Sequence, residues 1–400
     1  MNIRIEKSIA RGKINAPPSK SYAHRLLICA ALAKGKSKVN GIIDSEDMRA
    51  TLSCISALGV KFEKNGDSVS IFGGQISNEN ATFDCLESGS TLRFFIPIAL
   101  AFKEKSTFVG TERLINRGIT VYEEAFKSQN IKFNIVKNQI DIYGKLKSGT
   151  YYLRGDVSSQ FISGLLFALP LLSGDSKIII TTPLESKQYV DITISALSCF
   201  GVKIKIIGNE IFIKGGQEYL PTEINVEGDY SNAAFLDGFN ILGGDVSVFG
   251  LNDNSLQPDS IYKSYFEDIK STAPTLSLEN CPDLGPVCFA LAVLKNGARF
   301  IGTKRLAIKE SDRANAMAKE LTKLGANVEI FENESIVSKI EEICENQELY
   351  CHNDHRIAMA LALALSTCGG TLVGCECVKK SYPSFFDDIR HLGIQWEEIK

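Results

Sequence analysis

Residues 14–35 read "INAPPSKSYAHRLLICAALAKG". Lys20, Ser21, His24 and Arg25 crowd the first turns of a segment that is otherwise apolar. Ser19 is a preferred N-cap residue, and the following text is apolar on nearly all sides, the mark of a buried helix. A helix start offers free N–H groups and about half a positive charge. Cations and hydroxyls added at that point suit an anion; taken alone, the segment reads equally as a capped helix with its charges in solvent.

The same kind of text recurs five more times. "SGSTLRFFIPIALAF" begins at Ser88, "SSQFISGLLFALPLL" at Ser158, "DYSNAAFLDGFNIL" at Asp229, "DLGPVCFALAVL" at Asp283 and "DHRIAMALALAL" at Asp354. Each opens with Ser or Asp as its expected N-cap. The spacings between starts are 69, 70, 71, 54 and 71 residues, so a unit of about 70 residues repeats. A second helix type, with mixed faces, alternates with the first and starts near Asp47, Thr120, Asp191, Asp259, Arg313 and Ser384. It usually leads into alternating strands such as "SVSIFGG" and "EIFIKGG".

The chain therefore reads as α/β, six copies of a two-helix unit with several short strands. The fourth copy, with its short interval, has lost roughly a hairpin. The sixth stops at Lys400 before its last strands, and residues 1–18, with the strand-like runs "NIRIEKS" and "GKINAPP", are expected to complete it. The expected domains are 19–226, holding units one to three, and 1–18 with 227–400, holding units four to six. The chain would cross between them near Pro18 and near Glu227–Gly228. Four hundred residues exceed one ordinary hydrophobic core, which agrees with two domains.

Composition narrows the function. A net charge of −3 does not suit a nucleic-acid binder. No apolar run approaches a membrane span, and "MNIRIEKSIARGK" is too charged for a signal peptide. The eleven cysteines form no CxxC pair, there are four histidines, and HExxH is absent. Cys29, Cys54, Cys199, Cys288 and Cys368 read as reduced core thiols of a cytoplasmic protein, and no metal is expected. Neither a P-loop nor a Rossmann glycine fingerprint is present.

What the helix starts carry points to one shared anionic site. The chain supplies Lys20, Ser21 and Arg25; Arg113 and Arg117; Ser158, Ser159 and Gln160; Ser186 and Lys187. Further on come Lys309, Glu310, Asp312 and Arg313; Asp354, His355 and Arg356; Lys379 and Lys380. Arginine forks match carboxylates and phosphates. In such a cationic setting Asp283 suits a base, while Glu310 or a lysine of lowered pKa suits an acid.

The ordered set "PPSKSYAHR", "SGSTLR", "GDVSSQFISGLL", "VEGDYSNAAF", "PDLGPVCFALA", "IKESDR", "NDHRIAMALA" and "KKSYPSFF" resembles the 5-enolpyruvylshikimate-3-phosphate (EPSP) synthase family, the 3-phosphoshikimate 1-carboxyvinyltransferases. The resemblance spans the whole chain. It implies two domains of threefold βαβαββ-like repeats with helices inside, an inside-out arrangement, and an active site in the interdomain cleft. It implies transfer of the enolpyruvyl group of phosphoenolpyruvate to the 5-hydroxyl of shikimate 3-phosphate, releasing phosphate, in aromatic amino acid biosynthesis.

By that resemblance Lys20, Ser21, Arg25, Ser158, Ser159, Gln160, Ser186, Asp283 and Lys309 would hold shikimate 3-phosphate. Lys20, Gly89, Arg117, Gln160, Arg313, Arg356 and Lys380 would hold phosphoenolpyruvate, and glyphosate would occupy the same place. Asp283, Glu310, Lys20 and Lys309 would be catalytic, with Asp283 accepting the hydroxyl proton and Glu310 serving the methylene carbon. The resemblance implies no cofactor, no metal, no nucleic-acid or membrane partner, and a monomer.

Three positions depart from the family pattern: Glu87 replaces an amide, Gly118 a proline, and Arg305 an amide found in some relatives. Two other readings suit the scaffold. UDP-N-acetylglucosamine enolpyruvyl transferases typically carry Lys-Asn where this chain has Lys20-Ser21, and usually a loop cysteine that "GTERLINRGITVYEE" lacks. A non-catalytic sensor of anionic metabolites would not need Asp283, Lys309 and Glu310 together.

Overall fold

A computed structural model describes residues 1–77 and 79–399. The chain divides into two compact units, Pro18–Glu227 and Met1–Pro17 joined with Gly228–Lys400. Both are mixed α/β and built from the same repeat.

The second repeat shows the plan. Strands Ala81–Asp84 and Lys105–Val109 pair in parallel, and helix Gly89–Phe102 connects them. The hairpin Lys132–Val136 and Gln139–Tyr143 then adds to Lys105–Val109 antiparallel, giving a four-stranded sheet. Parallel strands need such a crossover helix, and here the helix is the buried layer. Helix Gly285–Leu294 in the other unit buries every residue from Gly285 to Val293, and in helix His355–Cys368 only Thr367 is not buried. The sheets form the outer layer and keep one face open to solvent, as in Lys132–Val136, where only Phe133 is not exposed. Helices inside and sheets outside is what helices apolar all round require.

Among the described residues five sheets have four strands and that of the fourth repeat has two, Arg11–Asn15 with Asp245–Phe249. The lost hairpin of the fourth copy is thus real. The N-terminus behaves differently from expectation. Only Asn2–Ile5 completes the sixth sheet, lying between Gly370–Val373 and Trp396–Ile399. Arg11–Asn15 instead supplies the fourth sheet, while Glu223–Asn225 supplies the first by pairing with Gly35–Asn40. The reason is that each post-helix strand requires a parallel partner. In the first and fourth repeats that partner comes from the far end of the same unit, because the chain leaves between strand and helix. Within one unit Ser19 N–H donates to the Glu227 carbonyl at 2.7 Å, and within the other Asp229 N–H donates to the Pro17 carbonyl at 2.8 Å.

Close helix packing in the Pro18–Glu227 unit depends on Gly164. A Cβ there would fall on the Tyr122 hydroxyl and the Arg93 carbonyl. The neighbouring helix Gly89–Phe102 contains Pro97, which has no N–H to give to the carbonyl four residues back. That carbonyl is Arg93, and the Tyr122 hydroxyl donates to it at 2.7 Å.

Two expected caps differ. Ser19 sits at the N-cap position without capping by its side chain. Asp283 lies in the 3₁₀ turn Pro282–Leu284, ahead of the helix that begins at Gly285, so its carboxylate is not spent on that helix. Cys199, expected in the core, is exposed, because it ends helix Lys187–Cys199 on the outward side. Among the described residues no helix is long and apolar enough to cross a membrane, and no group of three or more His, Cys, Asp or Glu could hold a metal ion.

Candidate active site

The Pro18–Glu227 unit gathers its polar residues at the starts of three buried helices, Lys20–Leu32, Gly89–Phe102 and Ser159–Ala168. Arg25 is buried in the second turn of the first. Its Nε donates to Thr193 Oγ1 at 2.7 Å, and its terminal nitrogens donate to the Ser21 carbonyl at 2.7 Å and the Tyr189 carbonyl at 3.1 Å. Phe94 lies beneath the guanidinium at 5.0 Å. Arg25 has no ion pair among the described residues, and burial pulls it down to about 10. Thr193 Oγ1 also meets Ser163 Oγ at 2.7 Å, tying the Ser159 helix to the same place.

On the other side of the first helix His24 Nδ1 lies 2.6 Å from Thr51 Oγ1. Thr51 continues at 2.9 Å to Thr91, whose hydroxyl donates to Ser88 Oγ at 2.8 Å. Burial drives His24 down to about 3, so it enters this chain as a neutral ring. The chain fixes the start of the Gly89 helix. A Cβ on Gly89 would come within 2.9 Å of Arg117 NH1, so the Arg117 guanidinium lies directly against this glycine. Arg117 Nε is buried without a hydrogen-bond partner among the described residues.

Gln160 is oriented from both ends. Arg93 NH1 donates to its Oε1 at 2.6 Å, and its Nε2 donates to Ser90 Oγ at 2.9 Å. Ser158 caps its helix by accepting from the Gln160 N–H, and Ser159 is buried beside it. Ser186 is buried at φ 54°, a left-handed conformation unusual for serine and of the kind that clusters at functional sites. Lys20 pairs with Asp47 at 2.8 Å.

The other unit holds a denser ionic cluster. Arg313 begins helix Arg313–Lys323 and is almost wholly buried. Its NH1 meets Asp283 Oδ1 at 2.6 Å, NH2 meets Glu310 Oε2 at 2.6 Å and Nε meets Asp354 Oδ2 at 2.9 Å. Burial opposes its charge, but Asp354, Glu310 and Asp283 together raise it above the ordinary arginine value. Asp283 also meets Arg356 NH2 at 3.2 Å and Lys309 Nζ at 3.4 Å. Burial opposes the charge of Arg356 too, and Asp283 leads the groups that raise it.

Burial lowers Lys309 to about 8 despite Asp283. Asp354 is fully buried; burial works against its charge, yet Arg313 holds it below the usual carboxylate range. Asp354 also accepts from the backbone N–H of Ser311 and of Arg356, the latter capping helix His355–Cys368. Lys380 Nζ donates to the Asn353 carbonyl at 2.5 Å.

Not every residue singled out in the sequence joins these clusters. Arg113 and Lys379 are exposed. Lys187 pairs with Asp191 one turn on, and Asp312 caps its own helix. Arg305 is buried and reaches the Glu279 carbonyl at 3.4 Å. Sequence reading missed Arg93, which orients Gln160 from 67 residues away, and Ser231, which accepts from Arg356 at 2.8 Å. Arg93 stands in the quoted motif "SGSTLR", four residues after Gly89 and so on the same helix face, the one local signal available.

The EPSP synthase (3-phosphoshikimate 1-carboxyvinyltransferase) family model matches residues 5–389. The chain belongs to the EPSP synthase family. It is 44% identical to the 3-phosphoshikimate 1-carboxyvinyltransferase of Clostridium kluyveri, over 99% of this chain and 98% of that one. It is 41% identical to the enzyme of the same name from Clostridioides difficile, over 99% and 98%. Its fold matches an EPSP synthase structure from Acinetobacter baumannii with a TM-score of 0.80, at 24% identity and 99% coverage of both chains.

Proposed function

We infer that this chain transfers the enolpyruvyl group of phosphoenolpyruvate to the 5-hydroxyl of shikimate 3-phosphate, and that both polar clusters serve this one reaction. The observation that carries the residue roles is Asp283, a carboxylate outside the helix it precedes, with Arg313, Arg356 and Lys309 all within 3.4 Å.

Arg25, Ser21, Ser158, Ser159 and Ser186 hold shikimate 3-phosphate. The buried, carboxylate-free Arg25 supports this assignment, since such a cation gains most from a phosphate. Gly89, Arg117, Arg313, Arg356 and Lys380 hold phosphoenolpyruvate, and the buried, unsatisfied Nε of Arg117 and of Arg356 support donor roles. Gln160 and Lys20 contact both substrates.

Asp283, assisted by Lys309, takes the hydroxyl proton as the 5-oxygen bonds to the enol carbon. Glu310 gives a proton to the methylene carbon, producing a tetrahedral intermediate. The bond from the former enol carbon to the phosphate oxygen then breaks, phosphate leaves with the proton held by Asp283, and the methyl group returns a proton to Glu310. Charge stabilisation by fixed cations supplies most of the acceleration.

The test is phosphate release from phosphoenolpyruvate with each acceptor in turn. Release that requires shikimate 3-phosphate supports the reading; release with UDP-N-acetylglucosamine, or none with either, rejects it. Asp283→Asn is expected to keep shikimate 3-phosphate binding by calorimetry while losing about 10²- to 10⁴-fold in kcat.

A further inference from the structure

Between strand Gln347–Tyr350 and helix His355–Cys368 the chain makes a tight turn. Asp354 N–H donates to the Cys351 carbonyl at 2.9 Å, and the two central residues, His352 and Asn353, hold φ of 51° and 53°. That is the pattern of a type I′ turn, where glycine, asparagine and aspartate prevail. Asn353 suits the turn, but His352 is not one of these residues, so its contacts help hold the turn in this form.

Glu320 supplies them. Its side chain is fully buried and plays no part in the mechanism above. Oε1 lies 2.7 Å from His352 Nε2, while Oε2 accepts from the Tyr350 N–H at 3.0 Å and from Lys323 at 2.6 Å. Burial works against the Glu320 charge, but these donors, Lys323 and His352 first, hold it below its ordinary value. Glu320 is seven residues after Arg313 on one helix, so the two side chains leave the same face two turns apart. Arg313 grips Asp354, the last residue of the turn, at 2.9 Å. The turn is thus clamped at both ends to one helix, and its Asn353 carbonyl receives Lys380 at 2.5 Å.

We propose that Glu320 and His352 are positioning residues: their contact holds the Cys351–Asp354 turn left-handed, which sets Asn353 against Lys380 and Asp354 against Arg313. The inference rests on the reading that Lys380 and Arg313 hold phosphoenolpyruvate. His352→Ala tests it, since alanine removes the imidazole and, unlike glycine, does not settle readily at φ 51°; His352→Gly, which adopts that φ freely, should stay near wild type.

The expected result for His352→Ala is a KM for phosphoenolpyruvate raised about tenfold, the scale of one lost hydrogen bond to a charged group. The kcat and the KM for shikimate 3-phosphate should stay within about twofold, since the lost interaction is one of ground-state binding. His352→Gln, whose amide can donate to Glu320, should recover most of the loss. Glu320→Gln should resemble His352→Ala; if it does not fold, the His352 variants decide alone. An unchanged KM for phosphoenolpyruvate in His352→Ala, or equal rises for both substrates, overturns the proposal. Lys380→Met separates the layers. If it leaves that KM unchanged, the underlying site reading fails and the proposal with it; if it raises KM while His352→Ala does not, only the proposal fails.

Discussion

Tyr122 donates its hydroxyl proton to the Arg93 carbonyl, the group that Pro97 leaves without a helical donor. The same hydroxyl lies 3.0 Å from the Phe161 carbonyl, so it bridges the helices that carry Gly89 and Gln160. Tyr122→Phe should cost about 1–3 kcal/mol, the price of a buried unsatisfied acceptor. In a Pro97→Ala background the restored N–H can reach Arg93, and the cost of Tyr122→Phe should fall. Urea unfolding of the four proteins measures the coupling. Equal costs in both backgrounds would show that the tyrosine does not replace the proline's missing donor.

Gly89→Ala places a methyl group against the Arg117 guanidinium, 2.9 Å from NH1. The side chain must move, at about 1–3 kcal/mol, or roughly ten- to a hundredfold in affinity. The KM for phosphoenolpyruvate should rise and glyphosate inhibition should weaken, while shikimate 3-phosphate affinity stays near wild type. Steady-state kinetics with and without glyphosate checks this. Unchanged inhibition would detach Gly89 and Arg117 from phosphoenolpyruvate.

Lys309, lowered to about 8, is charged below that pH and neutral above it. If its charge helps the reaction, kcat/KM should fall as pH rises through about 8. Bound anionic substrates favour the charged form, so the limb in kcat should lie higher. Lys309→Arg keeps the charge and should remove the limb while retaining part of the activity. A limb that persists in Lys309→Arg belongs to another group.

Asp354→Asn removes a buried charge but not the cap, because asparagine is an equally good N-cap. Arg313 then loses its most buried partner, and stability should drop by about 3–5 kcal/mol. In the wild type the Asp354 contribution is present above the unfolded carboxylate value of about 3.9 and is lost as pH falls below it. Denaturation at pH 7 and in acid checks both parts. The mutant's deficit should shrink in acid.

The six buried helices were legible because their signals are local: a polar start followed by a run apolar on every face. Asp283 shows how a local signal misleads. It precedes an apolar run as the other caps do, but the 3₁₀ turn Pro282–Leu284 delays the helix, and the carboxylate turns to Arg313 30 residues away. Strand exchange was illegible for the same reason. Nothing in "GKINAPP" says that its partner is Asp245–Phe249 rather than a strand of the sixth repeat. Arg93 with Gln160, and Glu320 with His352, are likewise contacts between helix faces and distant turns, which only the folded packing brings together.

Pairing Arg11 with Asp245 joins positions 234 residues apart, and this orders events during synthesis. Residues 2–15 leave the ribosome long before the strands they will join. At about 5–20 residues per second the wait of Arg11–Asn15 is roughly ten to fifty seconds, and that of Asn2–Ile5 is longer. The whole of Pro18–Glu227 emerges in that interval, including Glu223–Asn225, which closes its first sheet. One lobe can therefore mature cotranslationally while the other exists only as a nascent tail. That tail carries Arg4, Arg11 and Lys13 on its strands, charges of the kind that discourage an unpaired edge from joining the wrong sheet.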